Sequence, residues 1–88
     1  MKHAGPVVLG QLEPLLARIR ALPGLKEKAS GVFYWKSQAF LHFHEDPKGV
    51  FADLRDKDGI DFDRFDVTRQ TNHGALLDAA AARLGAQP

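Results

Sequence analysis

The segment Asp46-Pro47-Lys48-Gly49 limits the possible folds of this chain more than any other segment does. Asp at the first position, Pro at the second and Gly at the fourth are the residues that a type I turn prefers. Ala39 to His44, before the turn, is rich in aromatic residues, which is typical of a strand, and Val50 to Arg55 is predicted as the strand that follows. The sequence therefore predicts an antiparallel hairpin with residue 45 opposite residue 50.

Further strands are predicted on both sides of this hairpin. Val32 to Lys36 has the same composition, and Ser37–Gln38 has the right length for a tight turn, although it lacks the usual glycine. We therefore expect residue 36 to lie opposite residue 39. Phe62 to Val67 is predicted to form a short edge strand whose aspartates discourage further pairing. The charged stretch Leu25 to Gly31 is interpreted as a connector.

Two helices are predicted from apolar residues that recur at helical spacing. One covers about residues 11–22 and ends at Pro23–Gly24; the other is capped by Thr71 or Asn72 and ended by Gly85. The predicted fold class is α+β: a two-layer sandwich with an antiparallel three- to four-stranded sheet and both helices on one face. The order is α-β-β-β-(β)-α, in a single domain over residues 1–88 with flexible ends at about 1–6 and 85–88.

Composition narrows the functional classes. The chain has no cysteine, which excludes thiol catalysis and cysteine-ligated metal sites and favours a cytoplasmic location. Its formal net charge is only +1, so the net charge gives no support to nucleic acid as a partner. No stretch approaches a membrane span, and Met1 to Gly10 does not resemble a targeting segment.

The predicted registers divide the strand residues between two faces of the sheet. An apolar face would take the helices and form the core; it carries Val32, Tyr34, Ala39, Leu41, Phe43, Val50, Ala52 and Leu54. The other face mixes aromatic and titratable side chains; it carries Phe33, Trp35, Phe40, His42, His44, Phe51, Asp53 and Arg55.

The second face has three alternative interpretations. A satellite core could cover it, supplied by Phe62, Phe65, the Val7–Leu9 segment or a turn. Otherwise the exposed aromatic rings would serve as a homodimer interface or as a platform for a flat ligand, because a monomer rarely leaves so large an apolar patch without a use. We expect a non-enzymatic binding or interaction module that uses this face.

Two imidazoles lie on the same side of one strand in His42-Phe43-His44. A catalytic metal normally has three protein ligands, so the third would have to be Asp53, Glu45 or another histidine. His42 and Asp53 should lie opposite each other, which equally suits an ordinary cross-strand hydrogen bond. A small metal-dependent enzyme is therefore an alternative function.

Other catalytic and cofactor motifs are missing from the sequence. Asp56-Lys57-Asp58-Gly59 has the glycine of a calcium loop, but the alignment places Leu54 and Phe65 at ligand positions. The serines lack a glycine elbow, and no glycine-rich phosphate loop precedes a helix. We expect no catalytic residue and no cofactor.

The run GVFYWKSQAFLHFHEDPKGVFADLR, from Gly31 to Arg55, resembles a group of small uncharacterised bacterial proteins with an aromatic hairpin, an HFHEDP-type turn and a FADL-type strand. More distantly, the element order is similar to that of the MmcQ/YjbR group, which has a frataxin-like double-wing architecture. That second resemblance implies DNA binding as an alternative function and no catalytic residues.

Overall fold

The computed structural model describes residues 2–87 and shows an α+β fold, as predicted. Positions 1 and 88, which belong to the predicted flexible ends, lie outside the described residues. In chain order the elements are β1 Lys2–His3, α1 Pro6–Gln11, α2 Glu13–Arg20, β2 Leu25–Ala29, β3 Val32–Trp35, β4 Gln38–Asp46, β5 Gly49–Arg55, β6 Phe62–Asp66, a 3₁₀ turn Gln70–Asn72 and α3 His73–Ala86.

The sheet is antiparallel and has more strands than the three or four predicted. Its order is β2-β3-β4-β5-β6, with the short strand β1 also paired to β4. The helices cover one side, where Leu16, Ile19, Leu76 and Ala80 pack into a common core with the sheet. Within residues 2–87 no helix packs on the opposite side, which carries His42, His44 and Asp53 and which we call the open face.

The helix predicted over about residues 11–22 is present as α2, which is shorter than expected, and a second short helix, α1, precedes it. A helix tolerates proline only in its first turn. Pro6 lies in the first turn of α1, and Pro14 lies in the first turn of α2. Leu12 joins the two helices and is itself buried.

None of the helices within residues 2–87 has the length and apolar character needed to cross a membrane.

The segment interpreted as a charged connector is strand β2, which pairs with β3. Lysines weaken the period-two signal of Leu25–Ala29, but charged side chains are what an edge strand uses to avoid further pairing. Its turn to β3 depends on Gly31, which has a φ of 73° and lies against Leu9. A Cβ at that position would overlap the leucine side chain.

The β3–β4 turn differs from the prediction. It is formed by Lys36 and Ser37, whose φ values of 49° and 67° are both positive, as in the type I′ turn of two-residue hairpins. Trp35 therefore lies opposite Gln38. Further along, the register shifts by one residue, because Phe40 is an unpaired bulge between the Tyr34–Ala39 and Phe33–Leu41 pairs.

Because of this turn and this bulge together, the side chains of β3 lie on the opposite faces of the sheet from those predicted. Phe33 and Phe40, predicted on the second face, are each 1% exposed and belong to the core. Val32 and Tyr34, predicted in the core, lie on the open face because they pair with His42 and Ala39.

The β4–β5 hairpin has the predicted register, with Glu45 opposite Val50. The backbone N–H of Lys48 donates to the Asp46 carboxylate at 2.7 Å, which closes the turn. Strand β6 is present where the edge strand was predicted. Helix α3 continues one residue beyond Gly85, which therefore does not end it.

Candidate metal centre

Strand β1 brings a third histidine to the open face. Strand β3 ends at Val32, opposite His42, and β1 pairs with the part of β4 beyond that point, with His3 opposite His44. The Glu45 carboxylate holds β1 in place. It forms a salt bridge with the Lys2 ammonium group at 3.4 Å and accepts a hydrogen bond from the backbone N–H of Gly5 at 3.1 Å.

The three imidazoles form one cluster. His3, His42 and His44 each present a ring nitrogen, and these nitrogens all lie within 4.8 Å of one another. His3 stacks on His44 with ring centroids 5.0 Å apart, and His42 meets His44 edge to face at 4.7 Å. Alternation along β4 explains the placement of His42 and His44, because residues two apart in a strand share a face.

Asp53 of β5 contacts the histidine cluster through His44. It lies opposite His42, as predicted, and its carboxylate oxygen is 3.2 Å from Nε2 of His44. Arg64 of β6 donates two hydrogen bonds to the same carboxylate, at 2.8 and 2.9 Å. These bonds from Arg64 hold the pKa of Asp53 below its ordinary value, so the carboxylate is ionised at neutral pH.

His44 has one ring nitrogen free for a ligand. Its Nε2 lies 2.7 Å from Nδ1 of His42 and 3.2 Å from Asp53. With its proton on Nε2, His44 would donate to His42 Nδ1 or to the Asp53 carboxylate, and Nδ1 would keep an unprotonated lone pair. His44 Nδ1 is buried and has no hydrogen-bond partner among residues 2–87. Buried polar atoms nearly always have a partner, so this nitrogen is an unusual feature that a metal ion would satisfy.

His42 is held in the neutral form that a metal ligand requires. Burial, followed by the proximity of His44, lowers the pKa of this imidazole below its ordinary value of 6.5. The ring of Phe62 packs edge to face against His42 at 5.0 Å. The guanidinium group of Arg55 lies over the Phe62 ring, 4.4 Å from its centre, and donates hydrogen bonds to the carbonyl groups of Ala39 and Gly59.

The donor set fits a divalent transition metal such as Zn²⁺. Imidazole nitrogen is a preferred ligand for zinc, copper and nickel, whereas calcium and magnesium select oxygen. Zn–N bonds of about 2.0–2.1 Å in a tetrahedron place ligand nitrogens roughly 3.3 Å apart. The ligand nitrogens of the three histidines, which lie within 4.8 Å of one another, would therefore move slightly closer together. Three histidine ligands would leave the fourth position of a tetrahedral ion without a histidine.

The sequence predicted this site in part. His42, His44, Phe51, Asp53 and Arg55 share the open face, as expected. Phe33 and Phe40 do not, and Trp35 is half-buried against the core. The aromatic patch proposed as a dimer interface is therefore absent in the predicted form.

Sequence reasoning allowed for a third histidine but did not identify it. His3 lies in a segment expected to be flexible, and only its pairing with β4 makes it a neighbour of His44. Phe62, 37% exposed, covers one side of His42 and so supplies part of the predicted satellite packing. Val7 takes no such part, being 75% exposed.

No protein-family model, curated protein or solved structure matches this chain. The resemblances noted above therefore stay predictions, and the geometry of the open face is the basis for a function.

Proposed function

We propose that this domain is a non-enzymatic binding module that captures a divalent transition-metal ion on its open face. The observation that carries the proposal is the convergence of His3, His42 and His44, with ligand nitrogens within 4.8 Å of one another. Three histidines on the open face, with a carboxylate beside one of them, are the donor set that imidazole-preferring metals use.

Asp53 has the role of an orienting group in this proposal. Metal-bound histidines commonly donate their second ring N–H to a carboxylate, which fixes the ring and raises its basicity. Asp53 has that position relative to His44. Its lowered pKa makes it a poor proton acceptor near pH 7, which favours binding over general-base catalysis.

The test is a zinc titration at pH 7.5, followed by calorimetry and by NMR of the histidine rings. His73 is the internal control: it is the fourth histidine of the chain, and it contacts the Val67 carbonyl away from the cluster. We expect the ring signals of His3, His42 and His44 to shift together at a stoichiometry of one, while those of His73 stay in place.

Ligand variants sharpen the test. His3→Ala and His42→Ala should each lose more affinity than the 10–100-fold typical of removing an outer carboxylate partner. His73→Ala should bind zinc as the wild type does. Unshifted rings at millimolar zinc, or equal effects of all three variants, would refute the proposal.

A further inference from the structure

A second feature of the open face lies at its other end, beside the β2 edge. Lys26, Lys28 and Lys36 surround Tyr34 and, together with Gly24 and Ser37, line a shallow concavity of about 300 Å³. Lys26 is the cross-strand neighbour of Tyr34, and the Lys28 ammonium group lies 4.7 Å from the centre of the tyrosine ring. Lys28 occupies a register irregularity between Glu27 and Ala29, which adds a third basic side chain to this short hairpin.

These ammonium groups have no acidic counterpart. Within residues 2–87, none of the three lysines forms a salt bridge, and all three are exposed. The carboxylate next to them in sequence, Glu27, points toward the helices, where it pairs with Arg20. The aspartates of the chain are concentrated at the opposite edge, on β5, on β6 and in the turn between them.

Charge is therefore segregated in a molecule of formal net charge +1. A concave surface with several uncompensated cations attracts an anion that carries several charges close together. The Tyr34 and Ser37 hydroxyls add hydrogen-bond donors to the same concavity. A chain of two or three phosphates has this charge density and is rich in acceptor oxygens.

We propose that this concavity binds a polyphosphate chain, either free or carried by a nucleoside. The lysines contact phosphate oxygens, and Tyr34 provides the floor of the site. The site is separate from the histidine cluster: Ala39, the partner of Tyr34, and His44 are five residues apart on β4, or roughly 15 Å.

Trp35 supplies a built-in signal, because it is the only tryptophan and the Lys36 ammonium group lies 4.5 Å from the centre of its ring. Phosphate that engages Lys36 will draw this cation away from the indole and change its emission. Tripolyphosphate, ATP and adenosine should be titrated separately at 50 mM salt with EDTA present. The chelator removes metal, so the outcome does not depend on the histidine site.

We expect saturable signals with tripolyphosphate and ATP, none with adenosine, and weaker binding as salt is raised. Equal affinities for the first two would show that phosphate alone is recognised, whereas tighter binding of ATP would show a base contact, which Tyr34→Leu should remove. Adenosine binding as well as ATP would overturn the proposal.

Charge variants provide the matched control. Lys26→Gln and Lys28→Gln should each weaken tripolyphosphate binding about fivefold, the effect of losing one exposed ion pair of about 1 kcal/mol. Lys57→Gln removes an equally exposed lysine from the acidic end and should have no effect. If all three variants weaken binding alike, the attraction is nonspecific, the lysines of β2 serve only to protect the sheet edge, and the proposal fails.

Discussion

The two faces of this sheet are built from alternate residues of the same strands, yet different forces hold them. On the helix side, Phe33, Phe40 and Leu54 are almost completely buried. On the open face, His44 and Asp53 are also mostly buried, but they interact through charge and hydrogen bonds with Arg64 and His42. Stability should therefore depend chiefly on the first face, and ligand binding on the second.

The largest difference should come from one phenylalanine on each face. Phe40→Ala removes a ring that is 1% exposed and should cost about 3–5 kcal/mol of unfolding free energy, because it leaves a cavity. Phe62→Ala, on the open face, should cost about 1 kcal/mol, the value of an aromatic contact at the surface. Urea denaturation followed by circular dichroism measures both; equal losses would contradict the assignment of the faces.

Zinc should stabilise the folded protein through the open face alone. A ligand at 100 times its dissociation constant adds about 2.7 kcal/mol to the unfolding free energy. We expect this increase in the wild type and in Lys57→Gln, and no increase in His3→Ala. Thermal melts with and without zinc measure it, and the same rise in His3→Ala would show that zinc binds elsewhere.

Asp53→Asn should affect both properties, because its carboxylate is buried and joins Arg64 to His44. Weaker bonds to Arg64, which is half-exposed, should cost about 1–2 kcal/mol of stability. Zinc affinity should fall about 10–100-fold. Asp58→Asn, in the exposed turn before β6, is the control for lost charge. An unchanged zinc affinity in Asp53→Asn would remove this residue from the metal centre.

The smallest effect concerns the helix side at acid pH. The hydrogen bond from Arg20 lowers the pKa of Glu27 below its ordinary value of 4.5. A carboxylate with a depressed folded-state pKa stabilises the fold above that value, and the contribution is lost as the pH falls through the folded-state pKa. We expect a loss of at most about 1 kcal/mol. Glu27→Gln should reduce the acid sensitivity of thermal melts, whereas Asp78→Asn, an exposed carboxylate of α3, should not.

Local turn chemistry decided how much of this molecule could be predicted. The turn at Asp46–Gly49 is specified by side chains, so the β4–β5 register and the His42–Asp53 pair follow from the sequence. The turn at Lys36–Ser37 has positive φ at residues that do not usually adopt it, and the bulge at Phe40 has no sequence signal. Phe33 and Phe40 were assigned to the wrong face for that reason.

The other features that the sequence does not predict depend on strand pairing in the folded molecule. His3 is far from His44 in sequence, and its place in the cluster depends on a two-residue strand that no periodicity can reveal. Strand β2 was missed because its lysines reflect its position at the edge of the sheet, which is a property of the assembled fold.

The bulge at Phe40 also has an evolutionary consequence. Because Phe40 has no partner on β3, a chain without this residue would retain the pairs of Tyr34 with Ala39 and of Phe33 with Leu41 in an uninterrupted ladder. His42 and His44 would still face away from the helices. Strand β4 can therefore change length by one residue without moving its imidazoles to the other side, so a chain that differs by this single insertion can keep His42 and His44 in place while the volume of its core changes.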